Sequence, residues 1–372
     1  MAYPDTFQGF ASQSHERWTD FELLVFKPKT WSEDDVDIEI THCGVCGSDV
    51  HMISGGWKIP KYPLVVGHEV AGIARRVGRN VKDIQVGDVV GCGAQIGSCG
   101  SCRSCRDGHE NYCLRGFVDT YDGHWPDGTR TQGGYADYIR VDGHFVFKIP
   151  DALSPDQVAP MLCGGLTVFA PLVQNGCGKG KKVGVVGIGG LGHYAVQFAA
   201  ALGAEVWALS HSPSKRDDCL KMGATHFVDT SGKNWHQDLE QTLDIVVSTS
   251  DCDEGFPLKE CMSLLRPLGR FMTVGMPNKA LPTIHATDFL PNGCTIGATH
   301  IGNRREALAM LEVAAKNDVR SWIHTERMSS AGCKKVVESV SKGGARYRWV
   351  LKVEPDSFPQ TNGLTNGHQS AS

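Results

Sequence analysis

Residues 187–192 read Gly187, Ile188, Gly189, Gly190, Leu191 and Gly192, directly after the apolar run 182–186 and directly before a helix-like run over 193–202. The spacing G-x-G-x-x-G is weak evidence alone, but between a strand and a helix it is strong. Gly187 allows a tight turn, Gly189 lets a backbone approach a pyrophosphate, and Gly192 lets helix and strand pack closely. The helix N-terminus then faces the phosphates. Further apolar runs at 205–209, 226–228, 244–247, 270–274 and 294–296 alternate with helical stretches at 214–222 and 257–265. That alternation predicts βαβ units and a parallel sheet, hence an α/β unit that binds a dinucleotide. Residues 183–214 carry no lysine or arginine and only Glu205 as an acid, but six glycines, His193 and Gln197 interrupt them. A buried strand, helix and strand explains this segment, and a membrane span does not.

The tip of the second strand indicates the cofactor. It reads Ser210, His211, Ser212, Pro213, Ser214, Lys215 and Arg216, with no acid before Asp217. A site for NAD places Asp or Glu here to grip the ribose hydroxyl, whereas serines and a cation accept a 2′-phosphate. Ser212 followed by Pro213 reads as a helix N-cap with proline at N1. Lys215 and Arg216 then oppose the helix dipole, a penalty that a bound phosphate offsets. NADP(H) is the expected cofactor.

The first half of the chain is organised differently. Residues 35–40 alternate at period two, and 70–77, 86–90 and 135–141 follow as short strands between polar, glycine-rich connections, which predicts an irregular β-barrel. Within it, Cys99, Cys102, Cys105 and Cys113 follow C-x2-C-x2-C-x7-C. One short loop thus delivers four thiolates, as a closed structural zinc site requires. Cys46, His68 and Cys163 supply a second set, three ligands with one position left open for water or substrate, as in a catalytic zinc site. Two zinc ions per chain are expected. A helix at 306–316, a strand at 349–353 and a disordered tail over 356–372 complete the reading.

The charge balance, 37 Lys and Arg against 41 Asp and Glu, gives net −4 with no basic stripe, so neither nucleic acid nor an anionic membrane surface is an expected partner. The four-cysteine loop carries only Arg103 and Arg106 as cations within it. Fourteen cysteines without an N-terminal apolar run or basic cluster point to reduced thiols in a cytoplasmic protein.

Several motifs in one order carry a family resemblance: residues 46–51 (Cys-Gly-Ser-Asp-Val-His), 67–69 (Gly-His-Glu), the loop 99–113, 131–136, 163–167, 187–192 and 346–348. Over residues 21–353 the chain resembles the zinc-dependent medium-chain dehydrogenase/reductase family, most of all its NADP-using branch that includes cinnamyl alcohol dehydrogenases. The resemblance implies a GroES-like β-barrel catalytic domain over 1–153, containing a structural zinc loop at 97–115. It implies a Rossmann domain with a doubly wound parallel sheet over 154–295, and a return to the catalytic domain over 296–355. It also implies reduction of aromatic or medium-chain aldehydes, or oxidation of the primary alcohols in reverse, by a homodimer.

The same resemblance assigns residue roles. Ser48 relays a proton from the substrate oxygen, His51 stands at the solvent end of the relay, and Asp49 holds His68 in its ligating tautomer. Glu69 approaches the catalytic metal. Thr167, Thr249, Val274, Gly275 and Arg348 join Ile188 and Leu191 around the cofactor. The chain departs from its relatives at Gly47, where His or Arg is common near the pyrophosphate. It also lacks the large aromatic that plant lignin enzymes place near Val118, leaving Trp57, Phe117 and Tyr121 as candidate pocket walls. Reduction of an activated C=C bond and polyol oxidation are the alternative reactions. A non-catalytic zinc protein that senses redox state is the alternative class, against which the intact ligands and relay argue.

Overall fold

The computed structural model describes residues 4–277 and 279–359. The alternating run at 35–40 opens the longest strand of the barrel half. β1 (Phe7–Ser12) and β2 (Phe21–Phe26) form an antiparallel ribbon beside it. β3 (Asp35–Val45) pairs with β4 (Val70–Val77) and β8 (Tyr138–Asp142). β5 (Val89–Cys92) and β9 (Phe147–Lys148) extend the sheet beyond β4. A small ribbon of β6 (Gln95–Gly97) and β7 (Val118–Asp119) flanks the cysteine loop, whose one helical turn is α2 (Arg103–Arg106). α1 (Gly47–Ile53) leaves the end of β3.

α3 (Pro155–Val158) and α4 (Gly164–Gln174) carry the chain into the second half. There β10 (Lys182–Val186), β11 (Glu205–Ser210), β12 (His226–Asp229), β13 (Leu243–Ser248), β14 (Leu265–Thr273) and β15 (Thr295–Ala298) form a parallel sheet. Its order is β12-β11-β10-β13-β14-β15. α5 (Gly192–Ala201), α6 (Arg216–Lys221) and α7 (Leu258–Ser263) lie in the connections between these strands, and α8 (Arg304–Lys316) follows the last of them. The order reverses at β10, with β11 on one side and β13 on the other, so the crevice outside the end of β10 is the ligand position for an open parallel sheet. The glycine loop sits there.

The chain then returns. β16 (Ile323–Arg327) pairs with β17 (Arg348–Lys352), and α9 (Ser330–Ser341) links them. β17 runs antiparallel to β3, with Trp349 opposite Val45. This register sets Arg348 beside the point where β3 hands over to Cys46.

Three expectations need correction. The parallel sheet does not stop at 295: β15 pairs with β14 through Ala298. Ala307, Met310, Leu311 and Ala314 of α8 then bury themselves in the core of the sheet unit with Phe169 and Phe198. The return to the barrel sheet therefore begins at β16, not at 296. Second, the tail expected to be disordered from 356 is packed at its start, because Phe358 lies against Phe10 with ring centroids 5.2 Å apart and Ser357 is buried; residues 360–372 lie outside the described residues. Third, α4 and α9 are absent from the sequence reading. Gly164, Gly165 and Pro171 in α4, and the serines, glycine and valines of α9, are poor helix formers that tertiary packing overrides. Among the described residues no single helix is long and apolar enough to cross a membrane.

The buried interface of α4 with α5 centres on Phe169 and Phe198, an edge-to-face pair at 5.3 Å. Phe169→Ala is expected to cost about 3–5 kcal/mol through lost burial and the cavity left behind, measured as a lowered midpoint in chemical denaturation.

Candidate active site

The end of β3 delivers Cys46, and the Asp49 carboxylate fixes everything near it. Asp49 is fully buried. Its Oδ2 accepts from the Cys46 N–H at 2.9 Å and its Oδ1 from the Gly67 N–H at 3.2 Å. The same Oδ1 lies 2.9 Å from His68 Nδ1, and Tyr121 Oη lies 3.1 Å from that nitrogen. A carboxylate only accepts, so Nδ1 carries a proton, and Nε2, 3.1 Å from Cys163 Sγ, is the nitrogen directed at the site for ligation.

Cys46, His68, Glu69 and Cys163 are all buried and bring ligand atoms within 4.8 Å of one another. The two sulfurs behave as a pair sharing a proton. The hydrogen bond from Cys163 holds Cys46 well below the usual thiol range, and that same contact, together with burial, raises Cys163. Glu69 Oε1 accepts from Arg348 Nη2, while Oε2 is buried without a partner. Burial pushes Glu69 up to about 8, against the pull of the Arg348 guanidinium. Two sulfurs, an imidazole Nε2 directed inward and an orphaned carboxyl oxygen form a soft donor set that a zinc ion fits, the sulfurs binding as thiolates.

Gly44 makes this packing possible: a Cβ there would stand 2.0 Å from Glu69 Oε2. Sequence reading missed Gly44, because the constraint comes from a residue 25 positions away.

The four-cysteine loop is equally well formed. The sulfurs of Cys99, Cys102, Cys105 and Cys113 lie within 4.8 Å of one another. Separations of 3.5 Å for Cys102–Cys105 and Cys113–Cys99, 3.9 Å for Cys102–Cys113 and 4.0 Å for Cys99–Cys105 are recorded. These lie near the about 3.8 Å edge of a tetrahedron with ~2.3 Å zinc–sulfur bonds, and far beyond a ~2.05 Å disulfide.

The glycine loop fits a pyrophosphate. Gly187 has φ +85°, and a Cβ there would collide with Ser250 Oγ at 2.0 Å. Thr249 Oγ1 donates to Gly187 O at 2.5 Å. Gly192 lies so close to Gly187 O that a Cβ would be 2.0 Å from it, whereas Gly189 faces open space. At the tip of β11, Lys215 Nζ donates to Ile188 O at 2.6 Å. The Ser212 N–H donates to Ser210 Oγ at 3.2 Å, and His211 is exposed. Ser212 caps a 3-10 turn, Pro213–Lys215, rather than an α-helix, and its side chain makes no cap bond. Arg346, part of the 346–348 motif but assigned no role from sequence, reaches the same tip, with Nη2 donating to Ser214 O at 2.8 Å. Arg348 Nη2 bonds Glu69, and its Nη1 would be 3.1 Å from a Cβ at Gly190. It therefore lies between the carboxylate and the loop.

A cleft of about 420 Å³ opens over Cys46, His68 and Cys163. Ser48, His51, Trp57 and Tyr121 line it from the barrel half, and Thr167, Leu191, Thr249, Val274 and Gly275 from the sheet half. Cys46 Sγ is 3.6 Å from Ser48 Oγ, and His51 stacks on Trp57 at 5.1 Å. Phe117 does not line the cleft. It packs at 4.6 Å on His300, which does, so the expected aromatic wall is an imidazole with a phenyl ring against it. Lys58, Asp119, Met276, His300 and Ile301 also line the cleft. They come from separate segments, and no local pattern announced them.

The geometry agrees with known proteins. Residues 32–151 match the family pattern described as alcohol dehydrogenase GroES-like domain, and residues 190–316 the one described as zinc-binding dehydrogenase. The chain is 38% identical over 353 residues to NADP-dependent alcohol dehydrogenase 6 of Saccharomyces cerevisiae, covering 94% of this chain and 98% of that one. It is 39% identical over 341 residues to cinnamyl alcohol dehydrogenase 7 of Oryza sativa, covering 89% and 88%. A cinnamyl alcohol dehydrogenase structure from Sorghum bicolor superposes with TM-score 0.87 at 34% identity, covering 93% and 97%. The enzyme of that type from Helicobacter pylori, complexed with NADP(H), superposes with TM-score 0.84 at 32% identity, covering 93% and 98%.

Gly44→Ala is expected to displace the Glu69 carboxylate and weaken zinc affinity at the Cys46 site by roughly 10–100-fold, measured by competition with a chelator. Gly47→Ala, where a Cβ meets nothing within 4 Å, is the control expected to bind zinc normally.

Proposed function

The chain belongs to the zinc-binding alcohol dehydrogenase family, and we propose that it reduces aromatic or medium-chain aldehydes with NADPH, forming primary alcohols, and runs in reverse on those alcohols. The observation that carries this reading is the buried soft-donor set at the floor of a cleft whose opposite half carries the glycine loop. Cys46, His68 and Cys163, with Glu69 beside them, would hold one zinc, and Cys99, Cys102, Cys105 and Cys113 a second. When bound, the first zinc supplies Lewis-acid polarisation of the carbonyl and the nicotinamide supplies hydride.

The side chains of the protein do the remainder. Two thiolates balance the charge of a divalent ion, and Arg348 balances Glu69 at the same centre. Asp49 keeps His68 oriented with Nε2 directed inward. Ser48 stands beside Cys46 Sγ and is placed to give a proton to the substrate oxygen. His51 follows three residues later on α1, on the same helix face, and lines the cleft against Trp57, so it can restore that proton from solvent. Thr167, Val274 and Gly275 shape the cofactor side of the cleft. Ser210, Ser212 and Lys215, joined by Arg346 and without an acid, favour a 2′-phosphate over a bare hydroxyl. A homodimer acting in the cytoplasm accompanies this reading on the family resemblance.

Cys163→Ser is expected to abolish turnover while NADPH still binds, read by NADPH fluorescence; normal activity would refute the ligand assignment. With an α,β-unsaturated aldehyde the product should be the allylic alcohol, and a saturated aldehyde in its place would support C=C reduction instead. NADPH should bind more tightly than NADH, and Lys215→Ala should narrow that difference by roughly tenfold, the worth of one hydrogen bond to a charged group. Tighter NADH binding by the unmodified protein would end the NADP assignment.

A further inference from the structure

One wall of the cleft comes from a contact between the four-cysteine lobe and the segment joining β15 to α8. Asn111 Nδ2 donates to His300 O at 2.9 Å, and the His300 N–H donates to Tyr112 Oη at 3.1 Å. Phe117 stacks on the His300 ring at 4.6 Å. The imidazole Nδ1 lies 3.3 Å from Asn111 O. A carbonyl only accepts, so Nδ1 carries the proton, and in the neutral imidazole Nε2 then retains its lone pair. The lobe thus sets both the position and the tautomer of this imidazole. The next residue, Ile301, also lines the cleft and is held at φ +43°, a region that β-branched residues avoid, which marks a segment whose course is imposed by its surroundings.

Asp119, at the end of β7, stands in the same cleft. Its carboxylate makes no hydrogen bond or ion pair among the described residues, although the His300 ring and the Lys58 side chain lie near it. Asp122, by contrast, is engaged by Lys58 at 3.1 Å and by Arg130 at 2.8 Å. The cleft therefore presents two uncommitted acceptors, the Asp119 carboxylate and His300 Nε2. Met52, Ala94 and Met276 add apolar lining suited to a hydrocarbon body.

We infer that Asp119 and His300 are specificity-determining residues that select aldehydes carrying a hydroxyl group at the end remote from the carbonyl, given that the site reduces aldehydes as proposed above. A hydroxyl donates to such acceptors, a methyl ether does not, and Lys58 in the same cleft disfavours an ammonium.

The test uses the full chain with NADPH and three aldehydes of equal length ending in CH2OH, CH3 and CH2OCH3. The hydroxyl-ended aldehyde is expected to show kcat/KM about tenfold above both others, the difference residing mainly in KM. In His300→Phe, which keeps an aromatic ring against Phe117, and in Asp119→Ala, that advantage should shrink to roughly threefold or less. Should His300→Phe fail to fold, Asp119→Ala, an exposed position, decides. Equal kcat/KM for the hydroxyl- and methyl-ended aldehydes, an ether as good as the alcohol, or an advantage that survives the substitutions overturns the inference. Failure to reduce any of the three removes the aldehyde-reductase reading itself, and this inference with it.

Discussion

The active centre depends on one buried carboxylate. Asp49 ties the start of α1 to the turn at Gly67 and to the His68 ring, so a single anion positions two of the donor groups at once. Its cost of burial is offset by three hydrogen bonds, and removing it would leave the Cys46 and Gly67 N–H groups without that acceptor in a dry interior. Cys46 and His68 lie 22 positions apart on different segments of the barrel half. That carboxylate is the one group bonded to both the Cys46 backbone and the His68 ring among the described residues.

A second constraint couples the two halves of the molecule. β17 returns to pair with β3, and Arg348 at its start bonds Glu69 on one side and lies so close to Gly190 on the other that a Cβ there would stand 3.1 Å from its Nη1. The cation is almost fully buried, so it is costly unless paired, and Glu69 is the partner that the fold provides. The donor cluster and the glycine loop therefore share one guanidinium. The cysteine lobe makes a parallel link farther out: Glu110 accepts from the Arg304 N–H at the start of α8, and Asn111 and Tyr112 grip His300. A loop that reads as purely structural thus also shapes the substrate cleft.

Much of the site was legible because its signals are local. Four cysteines in fifteen residues must converge if the loop is compact, and the glycines at 187, 189 and 192 have conformational reasons that hold within one turn. The acid-free tip of β11 is equally local. The illegible part is contact between distant segments. Gly44 looks like any strand glycine until Glu69 packs over it. Arg348 reads as a cofactor contact, and its pairing with Glu69, 279 positions away, is a further role that no pattern marked. Phe117 reads as a pocket wall, yet it supports His300, which no pattern marked. α4 went unseen because two glycines and a proline argue against a helix that burial against α5 and α8 imposes.

The chain's order of residues by itself determined the α/β class, the parallel sheet with its phosphate turn, the four-thiolate loop and the donor types at Cys46, His68 and Cys163, because period, spacing and side-chain chemistry act over short stretches. Tertiary structure alone decided where the sheet unit ends, which carboxylate orients the imidazole, which cation joins the two halves and which side chains face the substrate. Those outcomes depend on register between strands hundreds of residues apart, and register is set by total burial and hydrogen-bond satisfaction across the whole fold.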